Sequence, residues 1–484
     1  MSTFTYSQVP WFSQPSKGFD LFAVPPQSSV RKSGQGYGFQ DGNQSPVVVR
    51  RRIAHRGHEI FVATGKEVRW ASLPLVKSQW ERAQVGIQKS IRDRRMRASS
   101  ESDRDSGSQS ESESESESDG GEENEDGLAH GYKRLAVPIR AEIQQLLISP
   151  NQQLLAIVTS HTCHVVIIPD SSLLASSDSA PVRAKTFTLG STTHALDQPP
   201  LCTALWHPLG KDGGCLVTVA AGGIVRLWEL NLESRWSFEE PALCVDLIDL
   251  ANAETSDQTI GSPQAQRRGF TPDAVDFELT SACFGTAYSA GQSAWSPMTL
   301  WLTTTEADIY ALCPFLPSNF QLPEYALDNF ILNTIAGAEA SWEDSEGSGF
   351  DKKHTTDRRR WAQDLEDQRS QAATGKPRSL ICTFKRPDSL GPVPKLRGPF
   401  EIEGAFEEGE VATFTDIYVI GAGQESVDDD KDDDDASSAG DEAATATKIM
   451  GMDTVCVVTE TGRILINLAQ AVEGRWAKKK VRGS

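Results

Sequence analysis

The stretch Leu201–Leu230, LCTALWHPLGKDGGCLVTVAAGGIVRLWEL, constrains the fold more than any other part of the chain. It holds three apolar runs, 201–206, 215–220 and 224–230, separated by two short breaks. The first break, HPLGKDGG, is a turn signal: Pro208 ends a strand and the glycines permit positive φ. The second, Ala221-Gly222-Gly223, is a tight connection of the kind that closes a β-hairpin. In the last run Ile224, Arg226 and Trp228 alternate with Val225, Leu227 and Glu229. A period of two within an apolar run suits a strand covered on both sides.

Three short strands ending in Leu-Trp make most of one blade of a β-propeller, where the closing dipeptide is more usually Trp-Asp. The unit recurs. From Val47 the chain reads VVVRRRIA, HEIFVAT and GKEVRWASL, the last two forming a hairpin about Gly65-Lys66 that again closes on a tryptophan. AEIQQLLIS, LLAIVTS and HTCHVVIIP make a second unit, and ALCVDLIDL supplies an outer strand to the third. TSACFGTAY, MTLWLTT and ADIYALCPF make the fourth. SLICTFKRP, LRGPFEIEG and FTDIYVIGA read as strands with no fixed grouping, and TKIMGMD, TVCVVTET and GRILINLAQ as a sixth unit. With insertions set aside the spacing fits roughly 40–45 residues per blade. The expected fold is all-β, a WD-like propeller over 47–470 with room for one or two blades beyond those grouped here. Long amphipathic helices do not separate the strands, which argues against a parallel α/β fold. Trp70 and Trp228 both end a hairpin's second strand, so they are expected in matching, buried places.

An apolar content of 38% is low for a wholly globular chain, so part of it is expected to be unfolded. The formal charge of −20 has a narrow origin. Residues 101–126 carry twelve acids and one arginine, and 428–442 nine acids and one lysine; these two segments supply −19. The expected organisation is a flexible arm at 1–46, disordered acidic insertions at 76–131 and 422–446, a helical insertion at 318–376, and a basic tail at 471–484. Serines among the acids of 99–118 suit acidophilic kinases. Eight widely spaced cysteines without a CxxC pair argue for free thiols in a reduced compartment and against zinc or disulfides. With no signal peptide and no run of roughly 20 apolar residues, a soluble intracellular protein is expected.

Catalytic chemistry finds no constellation. His161 and His164 flank Cys163, but 161 and 164 point to opposite faces of a strand, so core or surface histidines are expected rather than metal ligands. HEIFV at 58–62 lacks the second histidine of a zincin helix, and neither a G-x-S-x-G elbow nor a Walker loop occurs. No enzyme, metal or cofactor is expected. Two basic clusters, Arg50–Arg52 with Arg56 and Lys478–Lys480 with Arg482, sit on a near-neutral body, which argues against direct nucleic-acid binding.

The insertion after Phe315 departs from the strand pattern. SNFQLPEYALDNFILNTIAGAEA reads as a helix with Pro323 near its first position and Gly337 near its end. TTDRRRWAQDLEDQRSQAATG reads as a second helix that stops at Gly375. At 100° per residue Leu327, Phe330, Ile331 and Ile335 form one apolar stripe of the first helix, and Tyr325 and Leu332 lie nearly opposite. A helix docked on a propeller needs one apolar face. The other must be covered by neighbouring loops, by the helix at 357–372, or by another chain.

HEIFVATGKEVRWASL, LLAIVTSHTCHVVIIPDSSLL and TALWHPLG…LVTVAAGGIVRLWELN, followed by acidic and helical insertions, resemble the β-propeller nucleoporin of the cytoplasmic face of the nuclear pore. The resemblance covers about 47–470. It implies a seven-bladed scaffold propeller, monomeric by itself, in the nuclear envelope at the pore. It also implies two partners: the helical tail of an FG nucleoporin in the messenger-RNA export platform, and the autoproteolytic domain of a second. The family carries coiled-coil helices after its propeller, whereas GRWAKKKVRGS at 474–484 has no heptads. Tyr325, Leu327, Phe330, Ile331, Leu332 and Ile335 are the expected contacts for a partner's amphipathic helix. A generic WD-like adaptor, a substrate receptor or ribosome-assembly factor, would share the fold but bind through the top of the ring.

Overall fold

The computed structural model describes residues 21–22, 51–101, 132–252 apart from 177 and 179, 278–286, 295–343, 349–372, 381–400, 402, 412–421, 453–469 and 472–477. Its organising motif is a meander of antiparallel strands. The first blade is built from Ile53–Arg56, Glu59–Thr64, Glu67–Ser72 and Lys133–Ala136, with Val182–Arg183 added in parallel at the outside. Gln145–Ile148, Leu154–Val158, Cys163–Ile167 and Thr186–Leu189 make the second. Leu201–Trp206, Cys215–Ala220, Ile224–Glu229 and Leu243–Asp246 make the third. The tight turns behave as their glycines require: Gly65 and Gly223 sit at φ +62° and +82°, which an L side chain rarely adopts.

The fourth blade has an unusual source for its outer strand. Leu279–Phe284, Leu300–Thr304 and Ile309–Leu312 are completed by Leu396–Phe400, Leu312 pairing with Leu396 across the whole helical insertion. Phe414–Ile420, Asp453–Thr459 and Ile464–Ala469 form a last, three-stranded sheet. This regroups the strands left ungrouped by sequence: FTDIYVIGA is the first strand of the last sheet, SLICTFKRP borders the insertion, and TKIMGMD lies before the last sheet's second strand and outside the described residues apart from its terminal Asp453. Among the described residues the strands form six sheets of two to five strands each.

Apolar layers fill the spaces between successive blades. Phe61 and Trp70 meet Leu146, Leu155 and Ile157 between the first and second, and Trp228 meets Ala156, Cys163 and Leu189 between second and third. The first strands of successive blades lie side by side at the centre. Polar groups stitch them together. Leu146 N–H donates to the Arg51 carbonyl at 2.9 Å, and the Gln145 amide both donates to the Ala204 carbonyl (3.1 Å) and accepts from its N–H (3.0 Å). Ser281 Oγ–H donates to Asp416 at 2.5 Å.

Three expectations about the insertions change. Residues 73–101, placed by sequence largely in a disordered insertion, form a 29-residue helix, α1 (Leu73–Glu101). Blocks of charge argue for disorder, but this segment is built from good helix formers, with Pro74 in its first turn and Gly86 as the only interior glycine. Residues 102–131 and 422–446 lie outside the described residues, as does the arm at 1–46 except Leu21 and Phe22. Leu21 is buried with Val62, Ala71 and Val76, and its carbonyl accepts from Arg69 at 3.2 Å. The tail assigned to 471–484 begins inside the fold, because Val472 is buried and Trp476 packs on two other tryptophans. All eight cysteines are free; Cys163, Cys215, Cys313 and Cys456 are buried and Cys244 is exposed. No described helix is long and apolar enough to cross a membrane.

Candidate functional site

Two strands hold the helical insertion like a pair of legs. Asn319–Pro323 runs antiparallel to Ile381–Lys385, with Phe320 opposite Phe384 and Pro323 opposite Ile381. From these legs rise α2 (Glu324–Glu343) and α3 (Gly349–Ala372). Pro323 thus ends a strand, and α2 continues through Gly337 rather than stopping there. α3 starts earlier than the sequence suggested and ends before Gly375.

Trp361, Ala362 and Leu365 occupy one face of α3 at helical spacing, and all three are fully buried. Against them α2 places Leu327, Phe330 and Ile331. The Phe330 ring meets Trp361 edge-on at 5.4 Å and Trp295 edge-on at 4.7 Å, while Trp295 and Trp361 stack at 5.7 Å. Trp476 closes the group, 6.0 Å from Trp361. Rings in such edge-to-face pairs contribute beyond their buried area, about 0.5–1.5 kcal/mol per pair. The polar contacts are equally specific. Gln368 clamps the Lys385 backbone, accepting from its N–H at 2.8 Å and donating to its carbonyl at 3.0 Å. Arg369 joins Asp328 of α2 to Glu366 of α3, and Arg358 pairs with Glu473 of the C-terminal segment. That segment is itself hydrogen-bonded to the fourth blade, Arg475 N–H donating to the Cys313 carbonyl at 2.9 Å. Burial beside Glu324 raises the pKa of the Cys382 thiol, which keeps it protonated.

The six residues expected to form one partner surface are split between two sides of α2. Leu327, Phe330 and Ile331 belong to the core, and Ile335 is half-buried against the same cluster. The correction has a simple cause: the second inserted helix, read from sequence as mostly solvated, brings a tryptophan and a leucine that cover the stripe. Tyr325 and Leu332 face outward, 57% and 65% exposed. Seven residues apart, they stand within about 20° of one another around the helix. Asp328 and Asn329 are exposed between them, and Ile381 on the adjoining leg is also exposed. The result is an apolar line with a polar middle, backed by a rigid aromatic core. Sequence reasoning did not find Ile381, because its place beside α2 comes from strand pairing; nor did it link Trp295 and Trp476, which are 181 positions apart.

The remaining candidates among the described residues are consumed by the fold; Arg50, Lys478–Lys480 and Arg482 lie outside those residues. His164 is buried, 3.1 Å from both Thr162 Oγ1 and Thr188 Oγ1, and burial lowers its pKa. Among the described residues no three His, Cys, Asp or Glu side chains are placed to hold a metal ion. Arg51, Arg52 and Arg56 are spent on Asp416, Glu142 and Glu59. At the centre, Arg51, Gln145, Thr203, Ser281 and Asp416 line a cavity of about 10 Å³, room for roughly one water.

Comparison with known proteins adds to this geometry. A family model described as Nucleoporin NUP82 beta-propeller matches residues 3–483. The chain is 35% identical over 483 residues to Nucleoporin NUP82 of Chaetomium thermophilum, covering 96% of this chain and 50% of the relative. It therefore spans about half the length of the curated relative it matches. Among solved structures it is similar to a chain of the Chaetomium thermophilum heterotrimeric Nup82 NTD–Nup159 TAIL–Nup145N APD complex. The TM-score is 0.66 at 30% identity, covering 100% of this chain and 76% of that one. A chain of the yeast heterotrimeric Nup82–Nup159–Nup116 nucleoporin complex aligns with a TM-score of 0.48 at 15% identity, over 88% of this chain and 71% of that one.

Proposed function

The chain belongs to the NUP82 β-propeller family of nucleoporins, and on that premise we propose that it is a non-catalytic scaffold module of the nuclear pore complex. It anchors two FG nucleoporins, one by a helical tail and the other by an autoproteolytic domain. Its place is the cytoplasmic face of the pore, in support of messenger-RNA export and nucleocytoplasmic transport. The solved Chaetomium thermophilum complex, which joins a Nup82 NTD to a Nup159 TAIL and a Nup145N APD, supports this assignment of partners.

The observation that carries the reading is the outward line of α2. Tyr325 and Leu332 are large, apolar and exposed on a helix whose opposite side is locked by Leu327, Phe330 and Ile331, with Ile335 beside them. A helical tail with apolar side chains at i, i+3 or i+4 and i+7 fits such a line, and each large side chain buried contributes roughly 1.5–3 kcal/mol. Leu327, Phe330, Ile331 and Ile335 serve the site from behind by fixing its shape. The test is calorimetric titration of the helical tail into the wild-type chain and into Tyr325→Asp and Leu332→Asp variants. Each variant is expected to bind about tenfold more weakly or worse, a loss of roughly 1.4 kcal/mol, with its unfolding transition unchanged. Unaltered affinity in both would place the contact elsewhere.

A further inference from the structure

A second surface lies on α1, away from the insertion. The helix is rooted in the first blade: Leu73 N–H donates to the His58 carbonyl at 2.9 Å, and Val76 is buried with Leu21, Val62 and Ala71. Beyond that root it projects. Lys77, Glu81, Arg82, Val85, Gln88, Lys89, Ile91, Arg92 and Arg95 are exposed, and a Cβ added at Gly86 would meet nothing within 4 Å. Its one ion pair among the described residues is Lys77–Glu81 at 4.0 Å. A projecting helix with so little internal support is marginal in water, and tertiary or quaternary packing normally supplies the difference.

The face that would pack is defined. Leu73, Trp80 and Ile91 fall within about 20° of one line at 100° per residue, along roughly 27 Å of helix at 1.5 Å per residue. Leu73 and Ile91 are exposed and Trp80 is half-buried. Lys77 and Arg95 flank the line on one side, with Glu81, the partner of Lys77, and Arg92 beyond them, three bases to one acid. Over 73–101 there are seven Lys or Arg against three Asp or Glu, a net +4, whereas the chain outside 73–126 and 428–442 carries −6.

We infer that α1 is a docking helix for an acidic amphipathic helix of another protein, which covers Leu73, Trp80 and Ile91 and sets carboxylates against Lys77, Arg92 and Arg95. The chain's own acidic segment does not suit the role: residues 102–126 contain no apolar side chain to cover the line. An anionic membrane suits it less well, because the apolar line is a narrow seam of the coiled-coil kind rather than the broad face of an interfacial helix.

The test uses the whole chain and a labelled four-heptad peptide with Leu at a and d and Glu at e and g, followed by fluorescence anisotropy. Saturable binding is expected. It should weaken at least tenfold in Ile91→Glu and in the double variant Arg92→Glu/Arg95→Glu, weaken with added salt, and vanish for a peptide with Lys at e and g. Far-ultraviolet circular dichroism of both variants should match wild type. Equal binding to wild type and both variants overturns the inference, as does binding to phosphatidylserine vesicles but not to the acidic peptide. Zero-length carbodiimide cross-linking of the purified pore subassembly adds an independent arm. Links from Lys77 or Lys89 to carboxylates of another protein support the inference, and links confined to 102–126 of the same chain overturn it.

Discussion

Arg51 and Asp416, 365 residues apart, meet at the centre of the molecule, the guanidinium donating to Asp416 Oδ1 at 2.5 Å. The same carboxylate accepts from Ser281 Oγ–H, from Tyr418 O–H and from the Ile417 N–H. One side chain therefore joins the entrance to the first blade, the inner strand of the fourth, and the last sheet.

The first prediction follows from that convergence. Asp416→Ala should cost about 3 kcal/mol, the low end for breaking a buried pair, because Arg51 keeps some contact with water. Its side chain is 24% exposed, against 3% for Asp416. Arg51→Ala should cost less, since three donors to the carboxylate remain. Asp416→Asn should recover part of the loss. Urea unfolding of the three variants measures the order, and Arg51→Ala proving the most damaging would refute it.

A second prediction separates the two sides of α2. Leu327→Asp and Phe330→Asp place a charge where the side chains are 0% exposed, against Trp361 and Trp295. Both should unfold the insertion and lower stability by several kcal/mol, because an unpaired buried charge is strongly disfavoured. Limited proteolysis within 319–385 reads this directly, and cleavage should stay at wild-type rates in Tyr325→Asp and Leu332→Asp.

Acid should weaken the fold through two histidines. Burial pushes His194 and His207 down to about 4. His207 Nε2 donates to the Phe315 carbonyl at 2.8 Å while its Nδ1 accepts from the Leu209 N–H at 3.1 Å, so the neutral ring satisfies both partners. Unfolded histidine titrates near 6.5, so between about 6.5 and 4 the unfolded chain binds more protons. The stabilisation is complete above pH 6.5 and falls with pH by about 1.4 kcal/mol per unit for each ring. Urea midpoints from pH 7.5 to 5 should therefore fall less steeply in His207→Gln than in wild type. Parallel slopes would assign the acid sensitivity to other groups.

The tryptophans supply a fourth prediction. Trp228 Nε1–H donates to Thr218 Oγ1 at 3.0 Å, and that oxygen lies 3.3 Å from His194 Nε2. Trp70 Nε1–H instead donates to Glu59 at 3.1 Å. Either residue replaced by Ala should cost about 3–5 kcal/mol. Thr218→Val should cost about 1–3 kcal/mol, because it leaves the Trp228 donor buried without an acceptor. Differential scanning calorimetry of the three variants checks the ranking.

These two tryptophans also show how far the sequence could be read. Period-two runs and glycine turns located the hairpins, and burial of both indoles was legible from them. The claim that they hold matching places fails by one residue. Trp70 stands opposite Phe61, third in its strand, and Trp228 opposite Leu216, second in its own. One step of register turns a side chain to the other face of a sheet. Trp70 accordingly packs forward onto the second blade, and Trp228 packs back onto that blade from the third. Local pattern sets which residues are apolar, but a blade with two covered faces leaves the choice of face to its neighbours. The same limit applies to α2. Its two apolar sides were visible, while the side covered by Trp361, Trp295 and Trp476 depended on contacts between segments far apart in the chain. In α1, blocks of charge conceal a helix that the propensities of its residues favour.

The fourth blade's reliance on Leu396–Phe400 bears on how the chain leaves the ribosome. Its third strand emerges with Leu312, yet the partner residue Leu396 follows only 84 positions later, after both inserted helices. Until then Tyr310 and Leu312, buried in the finished blade, line an open edge. The legs at 319–323 and 381–385 can pair before that edge is closed, so the helical excursion has the means to fold first and deliver the missing strand. Contacts of such long sequence separation slow folding, because the loop-closure entropy is lost before the pairing compensates it. Synthesis, rather than the blade order drawn around the axis, then dictates the sequence of assembly: the fourth blade is finished late, when the segment that leads into the last sheet is already emerging.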